Sequence, residues 1–368
     1  MAGLVKAKKY DWKDSNLALF GSKLEKDVKK ESAETEPAWQ GAGLEVGLQI
    51  WRIEKFKVKH WPKDEYGTFY NGDSYIILNT YKDPDTDALK WDVHFWIGRY
   101  STQDEYGTAA YKTVELDTLL DDGPVQHREV EGYESEKFKS YFKEISVLKG
   151  GCDTGFRHVA PEQYEPRLLH FSGAKGHIEV KEVPLYKSLL SSGDVYILDL
   201  GLKLYQWNGS GSNKDERFKA VQYLQKIKDE RNGKASAETL DENDVSTAHE
   251  FYSHLQDGEP ENGDSEPADT GKVKELYRLS DADGSLDMKL EAEGDAVTKD
   301  LLDPADVFLL DDGKNCIVWV GEDASKAEKT KGMTMAHQYL MKSTNPFIPI
   351  TVVKQGQVDA TMDMAFAA

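Results

Sequence analysis

Paired carboxylates recur three times along this chain of 368 residues. In each pair an aspartate opens an apolar strand and a glutamate follows near the predicted start of a helix: Asp73 and Glu105, Asp194 and Glu216, Asp306 and Glu328. Two carboxylates with backbone carbonyls form an all-oxygen site, which suits a hard cation such as calcium. Because two carboxylates alone under-coordinate the ion, we expect weak binding until the protein closes or a partner adds an oxygen ligand.

A second interpretation of the glutamates is local. Glu105, Glu216 and Glu328 each lie three residues after Thr102, Asn213 or Ser325, which is the spacing of a capping box at a helix start. A glutamate at that place needs no metal, so the spacing alone leaves capping and calcium binding equally open. Capping does not explain the aspartates, since a strand has no need of a carboxylate at its first position.

Other metal sites and enzyme chemistry are poorly supported. Asp281 to Gly284 resembles part of an EF-hand loop, but the first and twelfth places are Leu279 and Leu290, where oxygen ligands are required. His249 and His254 are five residues apart, one too many for the zinc motif, and we interpret them as surface residues. The chain contains no glycine-rich phosphate loop and no nucleophile with a matching base, so an enzyme is the weakest hypothesis.

The carboxylates belong to a unit repeated three times. An apolar strand ending in Trp-x-Gly occurs at Trp96, Trp207 and Trp319, which are 111 and 112 residues apart, and each glutamate follows its tryptophan by nine. The distance from aspartate to tryptophan is 23 residues in unit one and 13 in the others, which predicts a longer hairpin loop around Lys82 to Ala88. We therefore predict that each unit consists of a strand, a turn, a second strand and an amphipathic helix, with helices packed on a sheet.

Composition suggests the boundaries and the compartment. We predict an extension at 1–45, domains at 46–158, 159–257 and 272–368, and a flexible acidic linker at 258–271. The net charge of −20 argues against nucleic acid, whose phosphates need clustered Lys and Arg. Two cysteines exclude a disulfide framework and favour the cytoplasm. No signal peptide or transmembrane segment is expected.

The predicted helices differ in their apolar faces. In unit two, periodicity places four residues on one side: Ala220, Val221, Leu224 and Ile227. In unit one the helix from about Gln103 to Asp121 has a docking stripe made of Ala109, Thr113, Leu116 and Leu120. A second stripe on the opposite side consists of Gly107, Tyr111, Val114 and Thr118, with Asp117 beside it. An exposed second stripe favours a partner's groove. The alternative is that a neighbouring domain or the N-terminal extension covers it.

Several segments resemble a known family. Residues 47–56, 72–78, 101–105 and 125–130 closely resemble the first domain of gelsolin, and 193–201 with 206–210 look like the second. The stretch Glu36 to Gly43 is similar to the start of severin and fragmin. The resemblance covers about 36–355 and is strongest in units one and two. It identifies the chain as a member of the gelsolin superfamily of the three-domain, severin and fragmin type.

This resemblance implies a fold and an activity. The fold is α+β, with three tandem gelsolin-like domains that each hold a mixed central β-sheet between a long and a short helix. Such proteins bind actin monomers and filaments, sever filaments, cap barbed ends and can nucleate filaments under calcium control, in the cytoplasm and on the cytoskeleton. The first domain lays its long helix into the cleft between two actin subdomains, which assigns actin binding to Gly107, Tyr111, Val114, Asp117 and Thr118. The second domain binds the filament side. Two alternatives stay open, a protein that caps without severing and a calcium buffer.

The resemblance also implies the calcium ligands. In unit one they are the carbonyls of Gly72 and Cys152 with Asp73 and Glu105, and Asp117 shares a second ion with actin. In unit two they are the carbonyl of Gly193 with Asp194, Glu216 and Asp269. Unit three supplies the carbonyl of Ala305, in place of the usual glycine, with Asp306 and Glu328.

Two departures from the family pattern affect the expected partners. The segments that match phosphoinositide-binding regions, 143–151 and 167–176, contain few basic residues and include Glu144, so only weak lipid binding is expected, through Lys143, Lys149, Arg167 and Lys175. Val195 and Asn208 stand where the secreted form pairs two cysteines, which agrees with a cytoplasmic protein.

Overall fold

The three repeated units each form a helix-flanked sheet. The computed structural model describes residues 33, 35–101, 103–151, 166–174, 177–231, 233–260, 273–281, 286–343 and 345–367. Unit one contains strands β1 (Gly47–Glu54), β2 (Lys57–His60), β3 (Thr68–Tyr70), β4 (Ser74–Lys82), β5 (Leu89–Ile97), β6 (Val125–Val130) and β7 (Glu144–Leu148). Its helices are α1 (Gln103–Leu119) and α2 (Glu136–Ser140).

Units two and three repeat the order of long helix and short helix. Unit two contains β8 (Arg167–Ala174), β9 (His177–Val183), β10 (Val195–Asp199), β11 (Lys203–Asn208), α3 (Lys214–Glu230), β12 (Ser236–Asp241) and α4 (Glu250–Ser253). Unit three contains β13 (Glu275–Ser280), β14 (Asp287–Glu293), β15 (Val307–Asp311), β16 (Cys316–Val320), α5 (Lys326–Leu340), β17 (Ile350–Lys354) and α6 (Ala360–Ala367).

Alternation along the strands divides each core into two layers, because successive side chains of a strand point to opposite faces. In unit two, Ile197 packs in the cluster beneath the long helix α3, whereas its neighbour Tyr196 packs with Phe251 of the short helix α4. The repeated tryptophans lie in the short-helix layers of all three units, with Trp96 beside Phe138 of α2. Each sheet is thus held between a long and a short helix, and the α+β expectation is confirmed.

The strands of the three units join into two continuous sheets. The first has ten strands in the order β14-β13-β15-β16-β17-β6-β5-β4-β1-β2, and the second has seven in the order β12-β11-β10-β8-β9-β7-β3. Units one and three meet where β17 pairs antiparallel with β6 over Ile350–Arg128, Thr351–His127 and Val352–Gln126. Units one and two meet where β7 runs parallel to β9. The domain boundaries given above stay a prediction, since sheet membership crosses them.

The expectation of a longer hairpin in unit one holds, and an expectation about a helix face is wrong. The β4–β5 ladder extends to Lys82–Leu89, so unit one has the longer hairpin. Val195 and Asn208 are direct cross-strand partners. Val221 was expected on the buried face of α3 but is 53% exposed, because it lies ~100° around the helix from Ala220, at the edge of the stripe. Among the described residues, no helix combines the length and apolar character that crossing a bilayer requires.

Candidate functional site

A close approach of backbone explains the glycine of each Trp-x-Gly. In every unit its N–H donates to the carbonyl oxygen of the repeated aspartate: Gly98 to Asp73 at 2.9 Å, Gly209 to Asp194 at 2.9 Å, and Gly321 to Asp306 at 3.1 Å. A Cβ at Gly98 would lie 2.4 Å from the carbonyl oxygen of Asn71, two residues before the aspartate. The corresponding distance, from a Cβ to the carbonyl oxygen two residues before the aspartate, is 2.4 Å at Gly209 and 2.2 Å at Gly321. The turn that carries each aspartate is therefore fixed by a residue without a side chain.

In unit one, Asp73 is buried beside backbone groups and the side chain of Arg52. Its Oδ2 lies 2.6 Å from a terminal nitrogen of Arg52, and the side chain of Asp73 has no exposed area. The N–H of Gly72 donates to the carbonyl oxygen of Gly150 at 2.7 Å, and a Cβ at Gly151 would be 3.0 Å from Oδ1 of Asp73. The structure thus brings the chain just before position 152 against Gly72 and Asp73. Cys152 itself and the side chain of Glu105 lie outside the described residues.

In unit two, Asp194 faces His170, with 3.1 Å between Oδ2 and Nε2. Glu216 is buried at the start of α3, where its two carboxylate oxygens accept from the N–H groups of Asn213 at 3.0 Å and Gly173 at 3.2 Å. Burial raises the pKa of Glu216, and the negative charge of Asp194 adds to this shift. Two carboxylates that repel each other are stabilised by a shared cation. Asp269, the fourth expected ligand, lies outside the described residues.

Unit three repeats this arrangement. Oδ2 of Asp306 lies 3.2 Å from a terminal nitrogen of Arg278. Glu328 accepts from the N–H of Ser325 at 2.8 Å and from the N–H of Asp281 at 2.7 Å. Ala305 precedes the aspartate, and its N–H donates to a side-chain oxygen of Asp303 at 3.0 Å.

Capping boxes are present in units two and three. Asn213 and Ser325 accept from the third helical N–H, and Glu216 and Glu328 accept in return. This role does not exclude a metal, because an ionised carboxylate offers about four lone pairs and capping uses only some of them. The donors are all oxygen, as calcium requires. The residues therefore fit a calcium ion that would be held by the aspartate, the glutamate and a backbone carbonyl of each unit.

The long helix of unit one presents two faces. Ala109, Thr113 and Leu116 are buried against the sheet, as the docking stripe predicts. The four residues of the second stripe are half-buried where the sequence suggested exposure: Gly107, Tyr111, Val114 and Thr118. Asp117 is 4% exposed, and burial raises its pKa to about 6. Its Oδ2 accepts from Gln126 at 2.8 Å and lies 3.4 Å from Nζ of Lys354 in unit three.

The segment before β1 also covers α1. The indole N–H of Trp39 donates to Oε1 of Glu115 at 2.7 Å. Lys112 bridges Glu36 at 2.8 Å and Glu115 at 2.9 Å. The sequence indicates residues 36–43 only through their resemblance to severin and fragmin. In the structure this segment packs on α1, where Trp39 provides the hydrogen bond to the buried Glu115.

The junction between units one and three is polar and buried, and no sequence pattern indicated it. Arg128 of β6 donates to the carbonyl oxygen of Ile348 at 2.8 Å and contacts His337 of α5 at 2.8 Å. Lys137 bridges Asp92 and Asp359 across the junction, at 2.8 Å to each. Removing one member of such a set leaves a buried charge without its partner, so these contacts hold the two units in one arrangement.

The residues considered for lipid binding are partly engaged within the protein. Arg167 forms an ion pair with Asp199 at 2.9 Å, and Glu144 pairs with Lys219. Lys143 lines a cavity of about 640 Å³ between units one and two. The backbone N–H of Lys149 donates to a carboxylate oxygen of Glu182 at 3.2 Å. Lys175 lies outside the described residues.

Comparison with known proteins agrees with the repeat. The model of the Gelsolin repeat matches residues 63–139, 176–248 and 289–361. Gelsolin-like protein 2 of Lumbricus terrestris is 56% identical over 369 residues, which cover 100% of both chains. Severin of Echinococcus granulosus is 47% identical over 370 residues, or 98% of each chain. Cytoplasmic gelsolin of Homarus americanus is 41% identical over 326 residues, which cover 84% of this chain and 42% of that one. The three repeated units, their recurring carboxylates and the full-length likenesses to Gelsolin-like protein 2 and severin together show that the chain belongs to the gelsolin family.

Proposed function

We propose that this protein severs actin filaments and caps their barbed ends, and that calcium controls both activities. The observation that carries the proposal is the burial of the outer face of α1, which is the second stripe formed by Gly107, Tyr111, Val114 and Thr118. Its residues are half-buried, and Asp117 is held by Lys354 of unit three. A half-buried face that carries Tyr111 and Val114, and that lies beside an aspartate held by another unit, is suited to an interaction that must be switched on.

The described arrangement is a closed state. Met333 of unit three packs against the core cluster beneath α1, and β17 extends the sheet of unit one through β6. A partner that binds through Asp117 must displace Lys354 of unit three. Calcium binding at the paired carboxylates favours a separated arrangement if it binds that arrangement more tightly, since a ligand shifts an equilibrium only by its difference in affinity.

Severing then follows from binding energy. Unit two binds the side of a filament, and unit one inserts α1 between neighbouring subunits through Gly107, Tyr111, Val114, Asp117 and Thr118. The protein stays on the new barbed end, and the same contacts with monomers support nucleation. No covalent bond is broken, so we assign the protein no enzymatic activity.

Three calcium sites support the switch. Unit one would use Gly72, Asp73, Glu105 and Cys152, unit two Gly193, Asp194, Glu216 and Asp269, and unit three Ala305, Asp306 and Glu328. Asp117 would share a further ion with actin once Lys354 has moved away. The pKa of Asp117 is raised by burial in the closed state, and exposure to solvent and a divalent cation would favour its charged form.

The same reasoning places the protein in the cytoplasm, on the cytoskeleton, where actin and changes in calcium concentration occur together. Phosphoinositides are at most weak regulators, since Arg167 is already paired with Asp199. A calcium buffer is the less favoured function, because a buffer has no use for the outer face of α1. Capping without severing would use the same face of unit one and is distinguished only by experiment.

The test is direct observation of labelled actin filaments by fluorescence microscopy, in calcium and in chelator. We expect breaks along the filaments only in calcium. Val114→Asp should abolish both breaks and barbed-end capping because it places a charge on the outer face of α1. Leu290→Asp is the matched control, since Leu290 is an exposed apolar residue of unit three. Arrest of barbed-end growth without breaks would support capping alone, and inactivity in both conditions would refute the proposed function.

A further inference from the structure

A basic residue occupies the same register position in all three units. Arg52 of β1 is the cross-strand partner of Tyr75, His170 of β8 is the partner of Tyr196, and Arg278 of β13 is the partner of Phe308. Each of those aromatic residues lies two positions after the repeated aspartate. Because residues two apart on a strand share a face, each basic side chain is directed to the aspartate of its own unit.

Each basic side chain contacts its aspartate. The distances are 2.6 Å from Arg52 to Asp73, 3.1 Å from His170 to Asp194, and 3.2 Å from Arg278 to Asp306. An aromatic ring supports the basic group in every unit: Arg52 lies over Trp61 and Tyr70, His170 stacks on Tyr196 at 4.7 Å, and Arg278 lies over Phe308. Three equivalent contacts in units of different sequence indicate a feature of the repeat itself.

We propose that Arg52, and Arg278 at the equivalent place, are tethered cations that occupy the repeated aspartate in the calcium-free protein and thereby lower the calcium affinity of their units. This inference rests on the proposed calcium sites and adds the element that sets their affinity. Each tethered cation is part of the chain, so it is present at its site in units one and three at all times, and calcium must compete with it.

Burial makes this competition strong at Asp73. The carboxylate has no exposed area and the arginine side chain is 10% exposed, so water screens their attraction poorly. Without the arginine the empty site would contain a buried carboxylate that has lost a cation, and a bound calcium ion would supply positive charge in its place. With the arginine in place, a bound divalent ion must lie close to a fixed positive charge, and like charges at such distances repel.

The tethered-cation role makes a prediction opposite to that of a supporting role. If Arg52 only oriented Asp73 for metal binding, its removal would weaken calcium binding. If Arg52 competes with calcium, removal of its charge destabilises the empty site and relieves the repulsion in the filled one. Both effects tighten calcium binding, so the sign of the change decides between the two roles.

The experiment is calcium titration of the whole chain by isothermal titration calorimetry, together with thermal unfolding in chelator. Asp73→Asn should remove one bound ion and so identify the site of unit one. Arg52→Gln should bind calcium at that site about tenfold more tightly or better, within the usual range of coupling between two sites. Its unfolding midpoint in chelator should fall below that of the wild type, because a buried carboxylate loses its cation. Arg52→Lys keeps the charge and should restore the wild-type affinity.

Lys82→Gln is the matched control, because it removes one positive charge from an exposed pair with Asp87 at the far end of β4. It should leave the calcium affinity unchanged. If Arg52→Gln does not fold, the two separate variants Arg278→Gln and Asp306→Asn give the same comparison at a more exposed pair. An unchanged or weaker affinity in the arginine variants would overturn the tethered cation while the proposed function stands. Absence of calcium binding by the wild-type chain would overturn both.

Discussion

The contact between Lys354 and Asp117 should help to set the calcium concentration at which the protein becomes active. Lys354→Met removes the charge of unit three that faces the outer side of α1. The lysine side chain is 32% exposed and the aspartate 5%, which places the pair between a buried and a surface ion pair. Breaking a buried pair costs about 3–5 kcal/mol and an exposed pair about 0–1 kcal/mol. Gln126 remains as a donor to Asp117, so we expect the closed state to lose about 1–2 kcal/mol.

A loss of that size shifts the balance between closed and open states about 5–30-fold. If opening is coupled to the filling of three sites, the calcium concentration for half-maximal activity changes by the cube root of this factor, or about 2–3-fold. The assay is filament shortening followed by microscopy across a calcium titration. Small-angle X-ray scattering in chelator should show a larger radius of gyration for the variant.

Lys299→Met is the control for this prediction. Lys299 forms an ion pair with Asp363 within unit three, and its side chain is 48% exposed. The control should have the calcium dependence of the wild type. A calcium requirement that is unchanged or raised in Lys354→Met would refute the idea that this contact restrains α1.

Three further outcomes follow from the structure. Glu216→Gln keeps one of the two accepted hydrogen bonds, so it should cost about 1 kcal/mol of stability. Calorimetry should nevertheless count one fewer bound calcium ion than in the wild type. An unchanged count would assign Glu216 to capping alone. Gly209→Ala should destabilise the folded protein by about 2–4 kcal/mol in denaturant titrations, because the added Cβ would collide with backbone. Gly107→Ala should instead stabilise α1 by about 0.5–1 kcal/mol, because a Cβ at Gly107 has open space around it. Burial lowers the pKa of His94 to about 4 and raises that of Asp117 to about 6. As the pH falls from 6.5 towards 4, the unfolded chain gains the His94 proton first and stability is lost, while Asp117 gains its proton in the folded state and adds stability. Asp117→Asn removes the opposing effect, so its unfolding midpoint in chelator should fall more steeply than that of the wild type from pH 7 to pH 5; parallel curves would contradict these assignments.

The sequence alone determined the features that depend on local spacing. The three Trp-x-Gly strands, the aspartate before each partner strand and the glutamate nine residues after each tryptophan define the repeat, and the structure confirms the layered units that follow from it. Capping boxes at Glu216 and Glu328 follow from contacts within one helical turn. Alternation along strands and periodicity along helices encode which side chains face a core, so these layers were predictable. Val221 was misplaced because periodicity defines the centre of an apolar stripe better than its edge.

The contacts between units were decided only by the tertiary structure. The pairing of β17 with β6 joins residues more than two hundred positions apart, and strand edges offer the same N–H and C=O groups whatever their sequence. The ion pair between Lys354 and Asp117 and the bridge through Lys137 both depend on that pairing. The contact of Arg52 with Asp73 likewise depends on the register between β1 and β4, which places a cation beside the carboxylate in three dimensions. A repeat in sequence specifies each unit, because burial is periodic along the chain, but it does not specify which surfaces of the units meet.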